Sequence, residues 1–299
     1  MCWLLSSPPL LKNDTHPSIL LAGLANLTIE QRGELLKTAS KEVDNFRSLL
    51  SLRKSTRLGI RYETLWQFLY QHIESCTVLA CNLPVRSETR TLGEFDLLYQ
   101  INDKNKSVVH HIHQEMAVKF YLGKPDSNGN WFDWIGPDNS DQLGAKLQKM
   151  FDSQIMLSET EEGTQCLEEL AGKQNWQREL LVQGYLFYPW KHTCAPPKHS
   201  HSEHLRGDWL PIHQLDEYCQ HIKASYFHIP PRQFWLSLQA PSDKLIQALH
   251  PYSPETLKEG IYLHMSLSNK PILVTGHTKS GQPAVFFVTP DKWLESAKN

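Results

Sequence analysis

Hydrophobic positions early in the chain repeat with helical spacing. Thr28, Ile29, Glu30 and Gln31 form a capping-box pattern, in which a Thr hydroxyl and a Gln amide serve free backbone N–H groups. Behind it, Leu35, Leu36, Val43, Phe46, Leu49 and Leu50 predict a helical stretch. Tyr62, Leu65, Trp66, Leu69 and Ile73 predict a second helix over about 58–74. The pattern then changes to strands. Residues 77–86 are strand-like until Pro84, which should stop the ladder. Residues 91–101 and 108–122 predict a hairpin around a polar turn at 102–107. The return arm exceeds the usual strand length, so a bulge or break is expected near His113. After a loop with Pro125, Gly129 and Pro137, residues Leu143, Leu147, Met150, Phe151 and Gln154 mark a helix face. Residues 161–181 read as helix and 184–189 as a short buried strand. This order of helices and strands argues for an α/β fold around a mixed sheet. Residues 191–207, polar and rich in Pro and His, form the candidate boundary. Beyond it, 271–276 and 284–289 predict a second hairpin.

Composition narrows the classes. The 299 residues, 40% apolar and 21% charged, suit one large domain or two ordinary ones. No apolar run approaches the roughly 18–20 residues of a membrane helix, so no membrane partner is expected. The first residues, broken by Pro8 and Pro9, make a poor signal peptide. The six cysteines (Cys2, Cys76, Cys81, Cys166, Cys194, Cys219) form no C-x-x-C pair, and reduced thiols in a cytoplasmic protein are expected. A formal net charge of −2 means that nucleic acid would be held through a local patch. Arg53, Lys54, Arg57 and Arg61 make one such basic run, which reads equally as a solvated helix start.

The chemistry concentrates in the first hairpin. Alternate residues of a strand share a face, so Glu94 and Asp96 point one way, as do Glu115, Ala117 and Lys119. A hairpin symmetric about 102–107 sets Asp96 opposite His113, with Glu115 a diagonal step away at about 7–8 Å by Cβ. Two carboxylates so placed can lean onto one divalent cation, and oxygen ligands suit Mg²⁺. Glu63, on the preceding helix, offers a further carboxylate. The alternative is a salt-bridged strand pair on a solvated face. His111 and His113 read either as donors to a softer metal or as half-buried strand residues. His192, Cys194, His199, His201 and His204 fit no standard zinc spacing and read as a polar loop.

Glu63 on a helix, Gly93–Asp96 (GEFD), and a later strand with Glu115 and Lys119 resemble the PD-(D/E)xK nuclease superfamily. More closely, LGIRYETLWQFL at 58–69, NLPVR at 82–86, TLGEFDLL at 91–98, MAVKFYLG at 116–123 and GYLFYP at 184–189 resemble the bacterial family designated domain of unknown function 1853. The resemblance implies a restriction-endonuclease-like αβββαβ core around a mixed sheet at 55–190. An N-terminal helical arm at 1–54 would precede it, and an α+β C-terminal extension at 191–299 would follow. It implies a metal-dependent nuclease cleaving DNA or RNA. Asp96, Glu115 and Glu63 would hold Mg²⁺ or Mn²⁺, and Lys119 would position water. Lys146 and Gln154, on the helix after the core strands, would touch nucleic acid with Arg57 and Arg61. The usual motif has an acid two residues before the lysine, where this chain has Ala117. The alternative is therefore an inactive module of the same fold that binds nucleic acid or a protein.

Overall fold

The computed structural model describes residues 1–12, 20–21, 27–52, 57–103, 108–238, 243–278 and 283–296. The chain opens with helix α1 (Cys2–Ser6), strand β1 (Leu20–Leu21) and helices α2 (Ile29–Lys41), α3 (Val43–Leu52) and α4 (Leu58–Tyr70). Strands β2 (Cys76–Arg86), β3 (Thr91–Asp103), β4 (Val108–Gly123) and β5 (Trp134–Ile135) follow, then helices α5 (Leu143–Lys149) and α6 (Glu161–Ala171). Next come strands β6 (Trp176–Pro189) and β7 (Leu205–Pro211), helix α7 (Leu215–Ile222), strand β8 (Ala224–His228) and helices α8 (Asp243–Ala248) and α9 (Pro254–Ser268). Strands β9 (Ile272–Thr278) and β10 (Pro283–Thr289) and helix α10 (Trp293–Ser296) complete it. The protein is mixed α/β, with helices at its N-terminus and a sheet of both parallel and antiparallel pairs. Among the described residues no helix is long and apolar enough to cross a membrane.

Two compact units form, Met1–Val118 with Leu147–Gln183, and Lys119–Lys146 with Gly184–Asn299. In the first, β2 and β3 pair antiparallel, as do β3 and β4, while β1 lies parallel to β6 with Leu20 against Glu179. Val85, Phe95 and Leu98 from the strands pack on Leu157 and Leu167. Gln183 binds the helices to β6. Its Oε1 accepts from Tyr62 Oη (2.9 Å) and Trp66 Nε1 (3.2 Å), while its Nε2 donates to the Leu4 and Ser7 carbonyls. In the second unit, β6, β7 and β10 run parallel, and β10, β9 and β8 run antiparallel. Leu210, Tyr218, Phe227, Leu257, Ile261 and Phe286 fill its core.

The capping box at Thr28 forms, with Thr28 Oγ1 accepting from Gln31 N at 3.2 Å and Gln31 Oε1 accepting from Thr28 N at 2.8 Å. The helical stretch behind it is two helices, because Glu42 leaves helical geometry (φ −108°, ψ 26°). Helix α4 stops at Tyr70, short of the expected 74. Pro84 does not end its ladder and pairs with Glu94. Strand β2 ends the strand order, and a proline on an outer strand forfeits no interior ladder bond. The stretch expected as helix to 181 turns at Gly172 (φ 71°), and Trp176 begins a strand whose second half is the predicted 184–189. Of residues 176–182 only Trp176 and Val182 favour strand, so pairing within the sheet, and not propensity, decides against helix. The segment 191–207 is tied down rather than loose: Thr193 O accepts from Asp126 N (2.7 Å), Ala195 N donates to Ser127 O (2.9 Å) and Lys198 N to Gly129 O (2.9 Å).

One buried group makes stability pH-dependent. Glu179 on β6 accepts from Tyr99 Oη (2.5 Å) and Gln114 Nε2 (2.8 Å), with no cation beside it in these bonds. Burial outweighs both donors and pushes its carboxyl up from 4.5 to about 7. The folded protein therefore holds a proton there that the unfolded chain releases above about 4.5. Stability from this group is fully present below that pH and is lost as pH rises to about 7, by about 3 kcal/mol. Glu179→Gln should flatten that slope. Denaturant titrations at pH 5, 6 and 7.5 read it, and parallel losses in wild type and variant would remove the assignment.

Candidate functional site

The site belongs to the first unit and is built where β3 and β4 part. Their ladder runs without a shift from Asp103 against Val108 to Leu97 against Gln114. No bulge interrupts it at His113, which pairs with Leu98 and not with Asp96 as a six-residue turn would require. The link between the arms is 104–107, outside the described residues, so it is shorter by two than the polar run suggested. The same register carried one step further sets Asp96 opposite Glu115, directly and not diagonally.

At that step side chains replace the ladder. Asp96 Oδ2 accepts the Met116 N–H at 2.9 Å, and Glu115 Oε1 stands 3.5 Å from the Asp96 N–H. The acids thereby serve backbone donors that the parting strands leave behind. Glu115 has no exposed surface, whereas Asp96 is half-buried. Glu115 also accepts from His113 Nε2 (3.0 Å) and from Gln154 Nε2 (3.1 Å). Burial and the nearby Arg178 depress His113 to about 3, so the ring is neutral at ordinary pH. Its Nε2 then carries the proton that Glu115 accepts, which makes the contact a hydrogen bond and not an ion pair. His113 Nδ1, the acceptor in this tautomer, is buried without a hydrogen-bond partner.

The polar row extends across β2. Cys81 pairs with Leu97 and Leu83 with Phe95, which places Asn82 opposite Asp96. Asn82 is left-handed (φ 52°) inside a strand, a conformation that asparagine tolerates and most residues avoid. Gln67 of α4 clamps this edge, with Nε2 donating to Asn82 Oδ1 (3.0 Å) and to the Asp96 carbonyl (3.2 Å). Gln154 ends a widened π turn, Met150–Gln154, that follows α5. Such turns swing a side chain off the helix course and recur at functional sites.

The expected residues fall as follows. Asp96, Glu115 and Gln154 come together. Glu63 is half-buried on α4, one helical turn before Gln67 and so on the same face. Arg57 is exposed at the start of α4 and Arg61 is half-buried on it, while Arg53 and Lys54 lie outside the described residues. Lys119 and Lys146 belong to the second unit. There Lys119 forms an ion pair with Asp141 and its Nζ lies 5.8 Å from the Tyr121 ring centre. Glu94 is exposed, and Ala117 is buried. Sequence reasoning missed Gln67 and Asn82. An asparagine between strand-forming residues, and a glutamine one turn after Glu63, were the available signals.

The donor set suits a hard cation better than a soft one. Asp96 and Glu115 offer carboxylate oxygens, and the nearest imidazole nitrogen carries a hydrogen toward Glu115. Among the described residues no three or more His, Cys, Asp and Glu side chains assemble a full cage. Magnesium commonly takes one or two carboxylates and keeps waters for the rest, so a carboxylate pair fits it.

No curated protein and no solved structure matches the chain. The family model described as domain of unknown function (DUF1853) matches residues 1–280. With nearly the whole chain covered, the protein belongs to the DUF1853 family.

Proposed function

We propose that this protein is a metal-dependent nuclease with a PD-(D/E)xK-like core, hydrolysing phosphodiester bonds in DNA or RNA. The observation that carries the reading is the meeting of Asp96 and Glu115 where β3 and β4 part, with Gln154 bonded to Glu115. The order α4, β2, β3, β4, α5, α6, β6, interrupted only by the two-residue β5 after β4, also supports it. Asp96 and Glu115 would hold Mg²⁺ or Mn²⁺, with Glu63 serving its water shell. Bound there, the cation would neutralise charge on phosphate oxygens as water adds to phosphorus and the P–O bond to the leaving oxygen breaks. Gln154 and His113 orient the Glu115 carboxylate. Gln67 and Asn82 fix the backbone of Asp96. Arg57 and Arg61 would meet phosphates, and Lys146 is a further candidate contact.

The resemblance gives Lys119 the orientation of water, yet its ammonium is paired with Asp141. That pairing, and Ala117 at the motif's acid position, favour the second reading. In it the fold is a nuclease-like module that binds nucleic acid or a protein without cleaving.

The test is incubation of the full chain with single- and double-stranded DNA and RNA in Mg²⁺, in Mn²⁺ and in EDTA. Cleavage of at least one form, abolished by EDTA, is the expected result. Binding without cleavage in either metal would leave the second reading in its place.

A further inference from the structure

The second unit carries a pair of histidines independent of the acidic hairpin. Strands β8 and β9 run antiparallel, with His228 against Thr275 and Tyr226 against His277. His228 and His277 are therefore diagonal neighbours on one face, a separation that ring side chains can bridge. Strand β8 ends the strand order, so the pair lies at an edge of the sheet.

The rings meet through nitrogen. His228 Nδ1 lies 3.1 Å from His277 Nε2, with the ring planes 82° apart. Tyr226 stacks on His277 with ring centres 4.4 Å apart. The two rings, with Ser237 and Thr275, line a cavity of about 10 Å³, room for one water-sized body. Among the described residues its lining holds no Lys or Arg to repel a cation. His228 is buried and His277 half-buried. Burial holds both rings below the usual histidine range, and His228 is lowered further by His277 and by His250 nearby. Both are therefore neutral at ordinary pH, the form that ligates a metal. Zinc held tetrahedrally at its usual distance from each nitrogen would set them roughly 3.3 Å apart, about 0.2 Å beyond where they stand.

We propose that His228 Nδ1 and His277 Nε2 bind one zinc ion, with water completing its coordination. Without metal the two nitrogens share one hydrogen. As the ion enters, that hydrogen passes through solvent to the other nitrogen of the same ring, so His228 Nε2 and His277 Nδ1 carry the hydrogens and no net proton is lost. Ser237 Oγ donates to the Phe234 carbonyl at 2.8 Å and keeps lone pairs for a zinc-bound water. Imidazole suits zinc, whereas carboxylate and water suit magnesium, so this pair and the acidic hairpin select different ions. Bound here, zinc ties the edge strand β8 to β9 and stabilises the second unit.

Isothermal titration of the full chain with Zn²⁺ tests this, run on Asp96→Asn so that the acidic hairpin plays no part. Zinc should bind and raise the melting temperature. His277→Gln in the same background should bind it at least about tenfold more weakly and lose the zinc-dependent rise. Long-range proton–nitrogen spectra of the imidazole rings give a second reading that needs no substitution at the pair. On adding zinc, His228 Nδ1 and His277 Nε2 should both move to the positions of hydrogen-free ligand nitrogens. Absence of zinc binding at millimolar concentration would overturn the proposal. So would equal affinity with and without His277, or spectra of these two rings that zinc leaves unchanged.

Discussion

Asp96→Asn is expected to lower metal-dependent cleavage about 1000-fold while leaving the fold intact. A cation that neutralises developing phosphate charge contributes several kcal/mol to the transition state, and each 1.36 kcal/mol is tenfold in rate. Asparagine is the informative replacement. Its amide oxygen can still accept the Met116 N–H that Asp96 Oδ2 accepts at 2.9 Å, so the strand edge keeps its bond and only the charge is lost. Alanine would remove both and confuse rate with stability. Glu115 is a poorer probe for the same reason: His113 and Gln154 both donate to it, and a glutamine amide would turn hydrogens toward one of them. Single-turnover rates with a labelled oligonucleotide measure the effect, with thermal melts as the control. A variant that melts like wild type and cuts like wild type would remove Asp96 from the chemistry.

Gly184→Ala is expected to cost about 3 kcal/mol or more, and about 5 °C or more in melting temperature. Gly184 has φ 146°, a region side chains rarely enter. A Cβ there would stand 1.6 Å from the Lys119 carbonyl oxygen and 2.9 Å from the Lys119 nitrogen. Backbone blocks it, so no rotamer change relieves the clash and β6 must move away from β4. Gly172→Ala is the matched control, because φ is also positive (71°) but nothing lies within 4 Å of the added carbon. It should cost about 1–3 kcal/mol, from strain alone, and less than Gly184→Ala. Equal losses in the two variants would show that conformation, and not close approach, is what glycine provides at 184.

Local patterns in the sequence were most legible where one residue decides the outcome. The Thr28 capping box, both hairpins and the helix over Tyr62 and Trp66 could be read from spacing, because each depends on neighbours a few residues apart. Residues 172–182 could not be read that way. A glutamate-rich helix runs almost straight into a strand there, and only a four-residue link that opens on Gly172, at positive φ, separates them. The position of Pro84 was misjudged because its tolerance depends on the strand's place in the sheet, which is a long-range property. At the candidate site, the acids on the hairpin were visible through alternation, whereas their register was not. A link of four residues in place of six moved Glu115 from a diagonal to a direct neighbour of Asp96. Gln67 and Asn82 were missed because uncharged amides carry no motif. Their importance comes from a left-handed strand residue and a helix that happens to lie over it.

The central claim is that Asp96 and Glu115 together seat one divalent cation. Electron paramagnetic resonance of Mn²⁺ added to the full chain measures it most directly, since bound and free ions give separate signals. Wild type should take up one ion, displaced by excess Mg²⁺, and Asp96→Asn should bind it at least tenfold more weakly. Equal uptake by the two proteins, or no uptake by wild type at millimolar Mn²⁺, would contradict it.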